Sequence, residues 1–404
     1  MQLFDVSATS PPELAGRELP KKVLYATSAR IGGYGLDLQT VEGLRGPYRA
    51  GILGRAIAYA NRQTEIPSRL IRSLRWHPVR LLSFLESQNY YGAKKQYLDL
   101  VASRDLSSGG YDLFHGWSGE CVRTLRQAKS LGIPSLMEIP TWHRHKGKIK
   151  NPAKSRRERE EEAAPLPGKL LNALRISRQQ TLEEYNLATL LAVYSECAAK
   201  TFTDVGFPSE KLFYLPLATD TERFTPGTQP PIFRAIFTGA LIERKGVHTL
   251  LEAWHRLNLK DAELLLVGTV HEEIKPHLER YATDSVKVVG FAARPEDHLR
   301  KSSLHVFPST CEGSAKTTYD AAACGLAQIS TRESGDVVVN GETGIVIPAG
   351  DVDALADAIR YFHQNPDLLT TMGAAARRRM VENFTWDHFR LRLLEAYRVA
   401  RERA

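Results

Sequence analysis

Cysteine is scarce in this chain. Cys121, Cys197, Cys311 and Cys324 are scattered through 404 residues, with no C-x-x-C pair and no histidine group at metal-ligand spacing. That pattern argues against a disulfide framework or a structural metal site and fits a reduced, cytosolic chain. Cys311 adjoins Glu312, but the sequence positions no base to activate it, so a packing role is expected. No window approaches the roughly 20 apolar residues of a membrane-spanning helix. The N-terminal run MQLFDVSATSPPELAGRELPKK lacks both a basic n-region and a continuous apolar h-region. A mobile tail over residues 1–20 is expected there, not a signal peptide. Zinc-finger spacing and RNA-recognition signatures are missing, and the basic runs lack the interleaved aromatics of a stacking platform, so a nucleic-acid partner is not expected. Gly32-Gly33-Tyr34-Gly35 does not supply G-x-G-x-x-G, which speaks against a dinucleotide-dependent oxidoreductase. There is no internal repeat.

What the chain does carry is a formal charge of +8, which favours anionic surfaces. Basic residues concentrate in the first half. Arg69, Arg72, Arg75 and Arg80 interleave with Ile71, Leu74, Trp76, Leu81, Leu82 and Phe84 in IPSRLIRSLRWHPVRLLSFL. Such a run suits an interfacial amphipathic helix at an anionic membrane surface, or equally a face packed into the domain core, and Pro78 interrupts the helical pattern. A second cluster, Lys146, Lys148, Lys150, Lys154, Arg156 and Arg157, has no apolar periodicity and reads as a solvated loop.

Strand and helix signals alternate, which predicts parallel sheets with crossover helices, and the length suits two domains. Val23–Thr27 reads as the first strand, followed by a glycine turn at Gly32-Gly33 and a long helical region through Ala58. Further strands are expected at 111–115 and 134–139, with a helix at 121–130 between them. After the Pro/Gly-rich linker 226–232, strands are expected at 233–239, 263–267, 286–289, 304–307 and 327–330, with a helix at 247–257 that carries Leu250, Leu251 and Trp254 at helical spacing.

The most informative segment is VFPSTCEGSAKTTYDAAACGL. An apolar strand ends at Pro308-Ser309, a small-residue turn carries Glu312, Gly313 and Ser314, and a helix is predicted to start near Ala315. The first amides of that helix lack intrahelical partners and carry the positive end of the peptide dipoles, so they form an anion site suited to a nucleoside diphosphate. Glu312 can accept hydrogen bonds from sugar hydroxyls, and Asp320, more than one turn into the helix, from ribose hydroxyls. Lys316 sits in the first turn, where the dipole disfavours a cation unless an anion is near.

This segment resembles the E-x7-E motif of retaining glycosyltransferases of family 4, which have the GT-B fold, with Asp320 in place of the second glutamate. Phe237-Thr238-Gly239 followed by Glu243-Arg244-Lys245-Gly246 resembles the family's G-x-L-x-x-x-K-G loop. RQQTLEEYNLATLLAVYS at 178–195, Leu215 to Asp220 with Arg223-Phe224, Leu264 to Gly268, and GDVVVNGETGIVIP at 335–348 follow in the family's order. Three departures stand out. Ala240 occupies the place of a diphosphate-clamping arginine, Asp320 is shorter than glutamate, and Ala218 replaces a glycine.

The resemblance implies an α/β chain with two Rossmann-like doubly wound parallel-sheet domains facing a central cleft. Residues 21–225 would form the acceptor-binding domain, 233–385 the nucleotide-sugar-binding domain, and the helix 386–404 would pack back across the junction. It implies retaining, metal-independent transfer from a nucleotide diphosphate sugar to an acceptor hydroxyl, with no other cofactor. The acceptor would be a glycan or lipid-linked molecule in bacterial polysaccharide or glycolipid synthesis, at the cytoplasmic membrane face. Glu312, Lys245, Arg244 and His143 are the candidate catalytic residues; His115 is a weaker histidine candidate. Donor contacts are expected from Gly32, Gly33, Gly239, Gly290, Phe291, Ser314, Ala315, Lys316, Thr317 and Asp320, with Arg244 supplying the cation that Ala240 lacks. Another GT-B enzyme, such as an epimerase or phosphorylase, and a non-catalytic nucleotide-sugar-binding protein are the alternatives.

Overall fold

Every residue of β1 (Val23–Ala26) is buried, as a parallel strand must be when helices cover both faces of its sheet. The same holds for β4 (Leu113–Trp117), β5 (Ser135–Ile139) and β6 (Leu190–Val193). β2 (Leu53–Ala58) and the short β3 (Ile71–Ser73) continue the sheet on one side and β7 (Leu212–Tyr214) on the other. The order is β3-β2-β1-β4-β5-β6-β7 and every pairing is parallel. The computed structural model describes residues 18–33, 35–144 and 171–404. The second basic cluster, Lys146 to Arg157, and all but the last residues of the expected N-terminal tail lie outside the described residues.

A second sheet contains β8 (Phe233–Thr238), β9 (Ala262–Val267), β10 (Val286–Gly290), β11 (Leu304–Phe307), β12 (Ala327–Thr331) and β13 (Gly344–Ile347). It too is parallel throughout, in the order β10-β9-β8-β11-β12-β13. Leu250, Leu251 and Trp254 of helix Val247–Leu257 are buried in its core with Phe237, Leu264, Val306 and Phe307. Two Rossmann-like, doubly wound parallel sheets are therefore present, as the alternation of signals predicts.

The described part of Pro12–Val193, with Thr201–Leu215 and Arg390–Ala404, makes one compact unit, here the N-terminal unit. Tyr194–Lys200 and Pro216–Phe389 belong to the other, the C-terminal unit. The last helix, Trp386–Glu402, starts in the C-terminal unit, and its residues from Arg390 onward are part of the N-terminal one.

Three local expectations need correction. The helical region does not run through Ala58: helix Leu36–Arg49 stops before Gly51, whose φ of 72° is left-handed, and β2 follows. A short apolar run such as Leu53–Ala58 does not distinguish strand from helix by period alone. The arginine-rich run 69–84 is not one amphipathic helix. A 3-10 turn at Ser68–Leu70, β3, and a second 3-10 turn at Pro78–Leu82 take its place, because Pro78 has no N–H to continue a helix. Finally, β6, β7 and β13 were not expected as strands, although their buried residues complete both sheets.

Candidate functional site

In each sheet the strand order reverses at one point, between β1 and β4 in the first and between β8 and β11 in the second. Ligands of open α/β sheets bind outside the carboxyl ends of the strands at such a point. Both expected donor-binding segments leave the second sheet there.

The loop after β8 is shaped by glycines that admit no side chain. A Cβ on Gly268 would fall 1.7 Å from the Gly239 carbonyl oxygen, and one on Gly246, at φ 73°, would fall 2.0 Å from the Pro308 carbonyl oxygen. Gly246 therefore lets the 3-10 turn Glu243–Lys245 press against the end of β11. The Arg244 carbonyl accepts hydrogen bonds from the Thr310 N–H (2.9 Å), the Ser309 hydroxyl (3.1 Å) and the Thr310 hydroxyl (3.0 Å). This seam delivers two cations to Glu312. Its Oε1 is 2.9 Å from Nη1 of Arg244 and 3.8 Å from Nζ of Lys245. The Arg244 guanidinium also donates to the Cys311 carbonyl. Burial pushes the Lys245 pKa down, with Glu312 opposing that shift and Arg244 adding to it.

Glu312, Gly313, Ser314 and Ala315 form the turn between β11 and helix Lys316–Ala323. The Glu312 N–H donates to the Glu333 carbonyl (2.9 Å) and the Ala315 N–H to the Ser334 carbonyl (2.8 Å), which pins the turn to the segment after β12. Ser314 is held by the Tyr319 hydroxyl at 3.0 Å. Among the described residues, no side chain caps the helix, and the Lys316 and Thr317 amides have no backbone acceptor. Free amides at a helix N-terminus can hold an oxyanion, and Arg244 and Lys245 meet Glu312 in the turn that leads into this helix.

Asp320 is not a bare acceptor. Its Oδ1 takes a hydrogen bond from the Thr219 hydroxyl at 2.6 Å and pairs with the Lys316 ammonium one turn earlier on the same helix. Lys316 also lies 5.4 Å and 5.8 Å from the ring centres of Phe224 and Trp386. The misplaced cation in the first turn thus has a local partner, a satisfied i,i+4 pair. Gly290 and Phe291 close β10 at the sheet edge, with Gly290 at φ 81° and Phe291 71% exposed.

In the N-terminal unit, Gly32 and Gly33 stand beyond the end of β1, next to the reversal point. A Cβ on Gly33 would fall 2.9 Å from the Asp37 carboxylate, which also accepts from the Arg30 N–H. His143 is almost buried, packed at ring-centre distances of 4.7 Å from Phe202 and 5.0 Å from Tyr185. His115 is fully buried in β4, with Nδ1 2.8 Å from the Tyr397 hydroxyl and Nε2 3.0 Å from Glu138. Glu120, not among the residues expected at the site, follows β4 and accepts hydrogen bonds from Ser28 N–H (2.8 Å) and the Ser28 hydroxyl. Burial raises its pKa, and Lys95, 3.8 Å away, lowers it. The unbroken apolar run 113–117 ending in Ser118-Gly119-Glu120 is the signal that would have located it. Among the described residues, no group of three His, Cys, Asp or Glu side chains could hold a metal ion, and no helix is long and apolar enough to cross a membrane.

Residues 233–365 match the family model described as "Glycosyl transferases group 1". The chain is 27% identical over 157 residues to the capsular polysaccharide biosynthesis glycosyltransferase CapM of Staphylococcus aureus, covering 37% of this chain and 41% of that protein. It is 28% identical over 252 residues to the GDP-mannose-dependent alpha-(1-6)-phosphatidylinositol monomannoside mannosyltransferase of Mycolicibacterium smegmatis, covering 54% and 64%. These alignments span less than two thirds of either relative. Among solved structures, sucrose-phosphate synthase from Thermosynechococcus elongatus superposes with a TM-score of 0.70 at 18% identity, covering 94% of this chain and 98% of that one. Anabaena HepE in complex with UDP-glucose gives 0.63 at 17%, covering 93% and 98%. These likenesses establish the glycosyltransferase GT-B fold. Residues 233–365 thus resemble the glycosyl transferases group 1, and the chain has the GT-B fold of these solved structures.

Proposed function

We propose that the chain is a retaining glycosyltransferase that moves a sugar from a nucleotide diphosphate sugar to an acceptor hydroxyl in bacterial polysaccharide or glycolipid synthesis. The observation that carries this reading is the meeting of Glu312 with Arg244 and Lys245 beside the free amides of Lys316 and Thr317. Names among the relatives support a nucleoside diphosphate donor, since HepE was solved with UDP-glucose and the mycobacterial enzyme is named for GDP-mannose.

In transfer, the bond between the anomeric carbon and the phosphate oxygen breaks, and negative charge grows on the departing diphosphate. The Lys316 and Thr317 amides, Lys245 and Arg244 stabilise that charge, a role that preorganised donors fill well in a site shielded from water. They supply the positive charge without a metal. Glu312, in contact with the cations while no donor is bound, accepts from sugar hydroxyls once the phosphates draw the cations away. The acceptor oxygen attacks from the face that the leaving group vacates, and its proton passes to the leaving phosphate oxygen, so configuration is retained. Ser314 and Ala315 shape the turn, Asp320 takes a ribose hydroxyl, and the base rests near Gly290 and Phe291. Gly32, Gly33 and His143 are assigned to the N-terminal unit's share of substrate contacts. A cytoplasmic place at the inner membrane face, with a lipid-linked acceptor, belongs to the same reading.

A second reading, a binding protein without turnover, draws on Ala240 and on the Lys316–Asp320 pair. A thermal-shift screen of uridine, guanosine and adenosine diphosphate sugars identifies the donor, because a ligand specific for the folded state raises the melting point. Release of nucleoside diphosphate with a new α-linked product from an α-linked donor then supports the transferase. Binding without turnover under any acceptor supports the second reading, and inversion in the product removes the retaining assignment.

A further inference from the structure

Trp76, Leu81 and Phe84 are 81%, 81% and 80% exposed, more than any other large apolar side chain among the described residues. A single exposed apolar residue is unremarkable, but three within residues 76–84 form a surface feature. They are not the loose edge of a core, because Ile71 and Leu74 of the same run already fill that role at 8% and 5% exposure. The backbone around them is tied down. Leu74 N–H bonds to the Ala58 carbonyl (2.8 Å), Arg80 N–H to the His77 carbonyl (3.1 Å) and Leu85 N–H to the Leu82 carbonyl (3.0 Å).

The charge within this run is of one sign, although Glu65 and Glu86 flank it. From Ile66 to Leu85 the sequence has four arginines and no Asp or Glu. Arg72 is paired with Asp105, whereas Arg69, Arg75 and Arg80 are exposed and form no ion pair among the described residues. The Arg80 guanidinium lies 5.6 Å from the centre of the Trp76 ring, so cation and aromatic share one surface. Residues of this kind, amphipathic aromatics and arginines around aliphatic tips, settle at the boundary between headgroups and acyl chains.

We propose that the surface formed by Arg69, Arg75, Trp76, Arg80, Leu81 and Phe84 docks on a bilayer of anionic phospholipid. This rests on the transferase reading only for its purpose, the capture of a lipid-linked acceptor; the docking itself is independent of turnover. The three arginines face lipid phosphates while Trp76, Leu81 and Phe84 enter the headgroup boundary. A second copy of the chain on the same patch would set arginine against arginine across a two-fold axis, which disfavours that occupant.

The test is flotation of the purified full-length protein with vesicles of phosphatidylglycerol and phosphatidylcholine, and with vesicles of phosphatidylcholine alone. The protein should float with the anionic vesicles and be released by salt. The triple variant W76S/L81S/F84S should bind at least about tenfold more weakly, and R69Q/R75Q/R80Q should lose the preference for anionic lipid. Both should keep the wild-type melting temperature, since all six side chains are exposed, and should keep turnover of a water-soluble acceptor. Absence of flotation by the wild type, or flotation unchanged in the triple variant, overturns the proposal. A shift in light-scattering mass from dimer to monomer in the triple variant, with vesicle binding unaffected, overturns it in favour of self-association.

Discussion

The Lys245 ammonium stands 3.8 Å from Oε1 of Glu312, and burial pushes its pKa down against the pull of that carboxylate. A half-buried cation whose one counter-charge among the described residues is this distant carboxylate is costly in the free protein, and the proposed diphosphate would offset that cost. Because the folded-state pKa is depressed, the unfolded chain binds the proton more readily, and the stability cost is present in full below the folded pKa. It is relieved as pH rises from there towards the ordinary lysine range. Lys245→Met should therefore melt at or above the wild-type temperature at neutral pH while kcat falls by about 10²- to 10³-fold. Scanning calorimetry and steady-state kinetics on the same preparation check both halves.

Gly246→Ala should do the opposite and damage structure first. A left-handed φ and a Cβ placed 2.0 Å from the Pro308 oxygen predict a loss of about 1–3 kcal/mol in denaturant unfolding. The same loop presents Arg244 and Lys245, so activity should fall at temperatures where the variant remains folded.

The Lys316–Asp320 pair predicts an effect on donor affinity. Asp320→Ala removes the ribose acceptor proposed above and frees Lys316 from its partner. Titration calorimetry should show weaker nucleoside diphosphate binding by about 1–2 kcal/mol. If affinity is unchanged, Asp320 serves only to hold Lys316.

His305, whose Nε2 lies 3.4 Å from the Thr317 hydroxyl, gives a pH signature in stability. It is fully buried in β11, its Nδ1 lies 3.0 Å from Gln328 Oε1, and burial lowers its pKa from 6.5 to about 4. As pH falls below 6.5 the unfolded chain takes up a proton that the folded protein refuses, so stability declines until about pH 4. The loss reaches ~3 kcal/mol. In His305→Gln this decline is absent, and the stability difference between wild type and variant should narrow as pH falls from 7 to 4.

The fold was legible in the sequence wherever a buried parallel strand leaves a continuous apolar run. β1, β8, β9, β11 and β12 lie within a residue of their expected bounds, and the start of the helix at Lys316 follows from the small-residue turn before it. Leu53–Ala58 was misread because six apolar-rich residues after a helix carry no period of their own. The partners of site residues were less legible, since they are set by distant segments. Nothing local links Asp320 to Thr219, or Arg244 to the carbonyl of Cys311. His115 looked like a site histidine by its place at a strand end, yet its partners Glu138 and Tyr397 come from β5 and the last helix. Only the folded chain brings them together.

The proposed transfer requires Glu312 to hold the donor at the carboxyl end of the second sheet. The most direct test is turnover of Glu312→Ala with the donor found by thermal shift, measured beside its melting curve. Transfer should fall by at least about 100-fold in a protein that melts as a single transition and still binds nucleoside diphosphate. Wild-type turnover in that folded variant would contradict the assignment.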